Sequence, residues 1–239
     1  MLWDVDYTLI DAGATGRAVY ASVFRDLFGR DADGVAPMGG RTERAIILDT
    51  LSAAGVSDPA RHVDAFVAEL TRRAPGLRAT FAARGHALPG AAAALAAVAA
   101  LGPAVVQSVL TGNVPAMARA KLAAFGLDGH LDLDVGAYGD HHEVRAELVH
   151  LARARAGVAY GRDFGGQATV LVGDTPLDVE AALATGARVV GVATGGPAAA
   201  ELAAAGADVV LPDLTDTCAV LSAITGPGPG GPGRAVRAL

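Results

Sequence analysis

What most constrains the fold of this chain is a regular alternation along its second half. After Pro89-Gly90, the spacing of apolar residues predicts a helix over 91–101 and a strand over 104–110. Helix 114–125, strand 131–135, helix 143–156 and strand 169–172 follow, then helix 177–185, strand 188–193, helix 198–205 and strand 208–211. Helices alternating with strands in this way mean a parallel sheet covered by helices on both faces. A further short strand reads over 1–5. Between it and the alternating region, residues 13–86 read as helical with no clear strand. A helix over 14–29 carries Val19, Val23, Leu27 and Phe28 on one face. A second runs over 42–54, with Thr42 as N-cap and Gly55 ending it. A third spans 59–73 and a fourth 75–84. The expected organisation is a core from 1–12 and 88–225, an inserted helical unit over 13–87, and a Gly/Pro-rich, disordered tail over 226–239.

The chain has 239 residues, enough for one buried core or a core plus a smaller domain, and 52% of them are hydrophobic. Residues 87–117 carry no charge, a length that raises the question of a membrane span. Alanine is the commonest residue of that stretch, and Pro89-Gly90, Gly102-Pro103 and Gly112 divide it into soluble-sized elements, so no membrane partner is expected. Net charge is −6 with scattered basic residues, which argues against nucleic acid. Cys218 is the sole cysteine, so no intrachain disulfide can form; a reducing, cytoplasmic setting is expected. No signal-peptide pattern opens the sequence. Of 19 basic residues only Lys121 is a lysine. Arginine cannot replace a compact ammonium packed against a carboxylate or phosphoryl group without changing the geometry, so Lys121 stands out as a candidate functional cation. Chance survival of one lysine is the competing reading.

In an open parallel sheet the reactive crevice lies beyond the C-terminal ends of the strands. Four segments reach it with polar residues. Asp4-Val5-Asp6-Tyr7-Thr8 places two carboxylates at i and i+2, on one side of a strand end, with a hydroxyl at Thr8 to fix the turn. Val109-Leu110-Thr111-Gly112-Asn113 ends an apolar strand with a hydroxyl. Lys121 follows two turns into the next helix. Val172-Gly173-Asp174-Thr175-Pro176-Leu177-Asp178 ends a strand on Asp174, and Asp178 can reach back to the same place. Singly, each segment reads as an acidic turn or a cap. Together they describe phosphoryl transfer at a hard cation. Asp4 and Asp174, with a backbone carbonyl near Asp6, would hold Mg²⁺. Asp4 would attack phosphorus, Asp6 would move the proton, and Thr111 and Lys121 would bind the phosphoryl oxygens.

These four segments resemble motifs I to IV of the haloacid dehalogenase-like (HAD) hydrolase superfamily, over the chain up to about residue 225. The resemblance implies a Rossmann-like, three-layer parallel sheet core with an inserted all-helical cap domain of the C1 type. Gly39-Gly40-Arg41-Thr42 resembles a cap segment of phosphoglycolate phosphatase-like members. By this resemblance Asp4 is the nucleophile and Asp6 the acid/base. Thr111, Gly112, Asn113 and Lys121 bind the phosphoryl group, and Asp4, Asp6 through its carbonyl and Asp174 bind Mg²⁺. Thr8 and Asp178 support them. Arg41 is the candidate for a distal anionic group of the substrate, with plain solvation as the alternative. Many relatives place a lysine in a Lys-Pro pair after the third strand. Residues 136–142 have none, which leaves Lys121 as the substitute. The resemblance also implies a longer first strand, so a truncated start is expected. Asp6 separates phosphatases from the dehalogenase branch. The absence of a lysine in the insert argues against phosphonoacetaldehyde hydrolase and β-phosphoglucomutase-like chemistry. The expectation is a Mg²⁺-dependent phosphatase for a small phosphorylated metabolite, acting as a monomer or homodimer. The alternatives are a phosphotransferase or mutase, or a non-catalytic binding protein. His141-His142 is expected to be solvated rather than a metal pair.

Overall fold

The computed structural model describes residues 1–226 and the backbone of 237–238. In chain order the elements are β1 (Leu2–Trp3), β2 (Ile10–Asp11), α1 (Thr15–Phe28), α2 (Glu43–Ala53), a 3₁₀ turn (Pro59–His62), α3 (Val63–Arg84), β3 (His86–Ala87) and α4 (Ala91–Ala99). Next come β4 (Ser108–Thr111), α5 (Pro115–Ala124), β5 (Ala137–Tyr138), α6 (Arg145–Tyr160), β6 (Val170–Gly173) and α7 (Pro176–Ala184). The chain ends with β7 (Arg188–Val192), α8 (Ala199–Ala205), β8 (Val209–Leu211), α9 (Thr217–Thr225) and β9 (Arg237–Ala238). One sheet runs β5-β4-β1-β6-β7-β8-β9, with every pairing parallel. β2 and β3 form a separate antiparallel pair.

Strand alternation builds the two faces. Trp3, Val109, Val172 and Val190 point into one core with α4, α5, α9 and the inserted helices. Leu2, Leu110, Leu171 and Val189 point into the other with α6, α7 and α8. This is the expected three-layer α/β core. The chain leaves β1 outward through β4 and β5 on one side and later through β6 to β8 on the other. That reversal opens a crevice beyond the ends of β1, β4 and β6.

Local differences from the sequence reading have physical causes. The strand read over 131–135 falls instead at Ala137–Tyr138, because Leu131 and Leu133 bury against the core without pairing in the sheet. Residues 59–84, read as two helices, form a 3₁₀ turn and one helix that continues through Pro75. The ring at Pro75 removes one helical hydrogen bond, yet Phe66, Leu70, Ala74 and Phe81 stay buried along a single stripe. The segment expected to lack strands contains the start of β3 at His86. The two-residue pair β2–β3 brings the start and finish of the inserted helices together. Helix α9 lies in a stretch given no element. Of the tail, 227–236 and 239 lie outside the described residues, while Arg237–Ala238 adds a strand to β8.

The inserted helices dock on the core through backbone contacts. The N–H groups of Glu43 and Arg44, in the first turn of α2, donate to Gly112 O at 2.9 Å and Gly139 O at 3.0 Å. Thr42 Oγ1 donates to Glu143 O at 2.8 Å. A Cβ at Gly112 would lie 2.1 Å from Arg41 O, so the approach requires glycine there. Helix α3 packs along α5, where Arg78 Nη2 donates to Ala123 O at 2.9 Å.

Candidate active site

A cleft of about 490 Å³ lies between the strand ends and the insert, lined by Asp4, Asp6, Thr111, Gly112, Asn113, Lys121, Asp174 and Thr175 from the core. All four sequence segments therefore meet in one place. Asp4 leaves β1 with its N–H tied to Val172 O at 2.8 Å. Asp174 leaves β6, the neighbouring strand. Asp178, near the start of α7, closes a capping box with Thr175 and is pinned there by its bonds to the Thr175 backbone and hydroxyl. Carboxylate oxygens of Asp4, Asp174 and Asp178 lie within 4.8 Å of one another, all buried. Thr8 is fully buried and donates to Asp174 Oδ1 at 3.3 Å.

Three carboxylates packed this closely repel one another in a medium that solvates them poorly. Burial, opposed by Arg145 and reinforced by Asp178 and Asp6, raises the Asp4 pKa to about 7. Burial, with Asp4 and Asp178, raises that of Asp174 to about 8. An all-oxygen donor set with this unbalanced charge fits a hard divalent cation.

Asp6 has a different set of partners. Lys121 Nζ contacts its two oxygens at 2.8 and 2.7 Å, and Asn113 Nδ2 donates to Oδ2 at 2.7 Å. Lys121 also donates to Asn113 Oδ1 at 2.7 Å. Asn113 in turn donates through Nδ2 to Thr111 Oγ1 at 2.8 Å. The sole lysine thus lies in the cleft, on α5, as its sequence context implied.

Three features escaped the sequence reading. Arg145, at the start of α6, is only 7% exposed. Its Nη2 reaches Asp4 at 3.0 Å and Asp178 at 2.6 Å. It is a second buried cation, three residues beyond the stretch where no lysine was found, and it touches Asp4 directly. A signal was present: Arg145, Leu148, Val149 and Ala152 recur at helical spacing and share the buried face. Glu43 is the second. It is buried in the cleft wall from α2 and receives a hydrogen bond from the Tyr20 hydroxyl. Burial raises its pKa to about 7 against the opposing pull of Tyr20, Lys121 and the Val114 amide. The third is Tyr7, whose backbone is left-handed.

Arg41 borders the cleft, but its guanidinium is engaged elsewhere. It contacts Asp49 at 2.5 Å and donates to Pro37 O and Ala45 O at 3.2 and 3.4 Å. His141 and His142 do not share a ligand site. The Nδ1 atoms accept from separate backbone amides, Tyr138 N–H and Val144 N–H.

An α/β core with carboxylates at adjacent strand ends defines a class of hydrolase. The family profile for haloacid dehalogenase-like hydrolases matches residues 1–183, and the chain belongs to that family. No curated protein matches it. Solved structures share the fold at low identity. A hydrolase from Pseudomonas syringae is 22% identical, with a TM-score of 0.62 over 92% of this chain and 96% of that one. A predicted phosphatase from Clostridium acetobutylicum is 17% identical, with a TM-score of 0.64 over 92% and 97%. A predicted phosphoglycolate phosphatase from Haemophilus somnus is 17% identical, with a TM-score of 0.62 over 92% and 96%. Among the described residues, no helix is long and apolar enough to cross a membrane.

Proposed function

We propose that this hydrolase is a Mg²⁺-dependent phosphatase that cleaves a small phosphorylated metabolite through an aspartyl-phosphate on Asp4. The observation that carries the reading is the division of labour between neighbouring carboxylates. Asp4 stands in a buried acidic cluster with Asp174 and Asp178, while Asp6 is held by Lys121 and Asn113. Environments that separate two carboxylates in this way assign them different chemical roles.

Asp4, Asp174 and the Asp6 carbonyl would hold Mg²⁺, with Asp178 beside them. The cation would neutralise carboxylate and phosphoryl charge. Asp4 attacks phosphorus in line with the leaving oxygen. Asp6 gives a proton to the departing alcohol and later takes one from the water that cleaves the aspartyl-phosphate. Lys121, Thr111 and the Gly112-Asn113 backbone orient the phosphoryl oxygens. Arg145 keeps Asp4 oriented through its link to Asp178. The sole lysine lies on core helix α5, and the insert has none to handle a second phosphorylation; this favours hydrolysis over the mutase or transferase alternative. The test is phosphate release from a panel of phosphorylated metabolites with Mg²⁺, using Asp4→Asn as the blank. Release by the wild type alone is expected. Equal release by both proteins rejects the mechanism, and no release by either favours a non-catalytic binding protein.

A further inference from the structure

Tyr7 lies between Asp6 and Thr8, and nothing in the reaction described above uses it. Its φ is +58°, the left-handed region that bulky L-residues rarely enter. Glycine would adopt this backbone freely, so the turn alone gives no reason for an aromatic ring here. The turn is fixed on both sides. Tyr7 N–H donates to Ile10 O at 2.6 Å, and Tyr7 O accepts from Thr194 Oγ1 at 2.5 Å. Neighbouring Val5 and Thr8 are fully buried, yet Tyr7 is 45% exposed and lines the cleft. Met38 and Ile46 from the insert add apolar surface to the same cleft. Uncommon backbone held by its surroundings beside reacting groups points to a functional constraint on the side chain.

We propose that Tyr7 is a specificity-determining residue whose ring packs against the leaving group, selecting phosphomonoesters whose alcohol carries a ring with an apolar face. The inference rests on the phosphatase reading and deepens it by naming the substrate class. Cyclohexyl phosphate and ethyl phosphate provide the test, because both release simple alkanols and differ in the ring. Tyr7→Gly is expected to lower kcat/KM for cyclohexyl phosphate roughly tenfold, mainly through KM, and to change that for ethyl phosphate less than about twofold. Tyr7→Phe keeps the ring and is expected to retain the preference. Tyr7→Gly also relieves the backbone, so its Tm should equal or exceed that of the wild type. Tyr7→Asn, which tolerates the same conformation, gives a second variant with the same kinetic split. Phenylphosphonate and methylphosphonate read the contact without turnover: calorimetry should show the Tyr7→Gly loss for phenylphosphonate alone. Equal fold-changes on ring and non-ring ligands, or no change on either, would overturn the proposal. If binding shows the split but no phosphomonoester is hydrolysed, the phosphatase reading fails and the ring contact stands.

Discussion

The core side of the cleft is made from strand ends, whereas the insert side is made from helix beginnings and the loops before them. On the core side, Asp4, Asp6, Thr111 and Asp174 leave parallel strands in one direction, so the sheet alone brings them together. On the insert side, Gly40, Arg41 and Glu43 reach the cleft where α2 docks on Gly112 and Gly139, and Arg17 reaches it from the start of α1. A sheet register fixes positions to within an ångström. Docking of a helical insert depends on a few backbone contacts and can change with the state of the molecule. In the proposed reaction the core side carries the chemistry, and the insert side closes the wall of the cleft opposite it.

The largest way to break this division is at Lys121. Its ammonium contacts both oxygens of Asp6 and Asn113 Oδ1, a geometry that a planar guanidinium cannot reproduce. Lys121→Arg is expected to lower kcat by about two orders of magnitude despite the retained charge. Steady-state kinetics with wild-type values would remove Lys121 from the core machinery.

Metal binding gives the next effect. Folded-state pKa values near 7 for Asp4 and 8 for Asp174 lie above the ordinary 3.8. Without metal, the stability these groups contribute is present below about pH 4 and is lost as pH rises through 7 to 8. A cation binds the charged forms, so Mg²⁺ should raise Tm by several degrees at pH 8 and much less at pH 5. Asp174→Asn should lose that response. A Mg²⁺ shift that is the same at both pH values contradicts the assignment of this cluster.

The join between the two sides is sharpened by Gly112→Ala. A Cβ there meets the Arg41 carbonyl, so chemical denaturation should show a loss of about 1–3 kcal/mol. A variant as stable as the wild type means that the insert is not held at this point. The smallest effect is expected for Arg41→Ala. The pairing with exposed Asp49 is worth about 0–1 kcal/mol, and KM should change less than about twofold. A large rise in KM for anionic substrates would return Arg41 to the role its sequence context suggested.

Legibility in the sequence follows the same boundary. The parallel sheet and the three strand-end segments could be read, because period and strand-end polarity are local properties. Lys121 could be read from its rarity. Arg145 and Glu43 could not be assigned, since each gains its meaning from contacts far away in sequence, with Asp4 and Asp178 in one case and Tyr20 and Gly112 in the other. Two-residue strands such as β2 and β3 are too short to show a period. Pro75 read as a helix boundary, but tertiary packing of Phe66, Leu70 and Phe81 carries the helix through it.

In the proposed reaction Asp4 carries the phosphoryl group and Asp6 moves the protons. Asp6→Asn tests it most directly with an aryl phosphate, whose leaving group needs little protonation. Rapid mixing with Mg²⁺, followed by quenching and peptide mass spectrometry, should show one burst of phenol per protein and a phosphoryl group retained on Asp4. A phosphoryl group found elsewhere, or unmodified Asp4 after a full burst, would contradict the account.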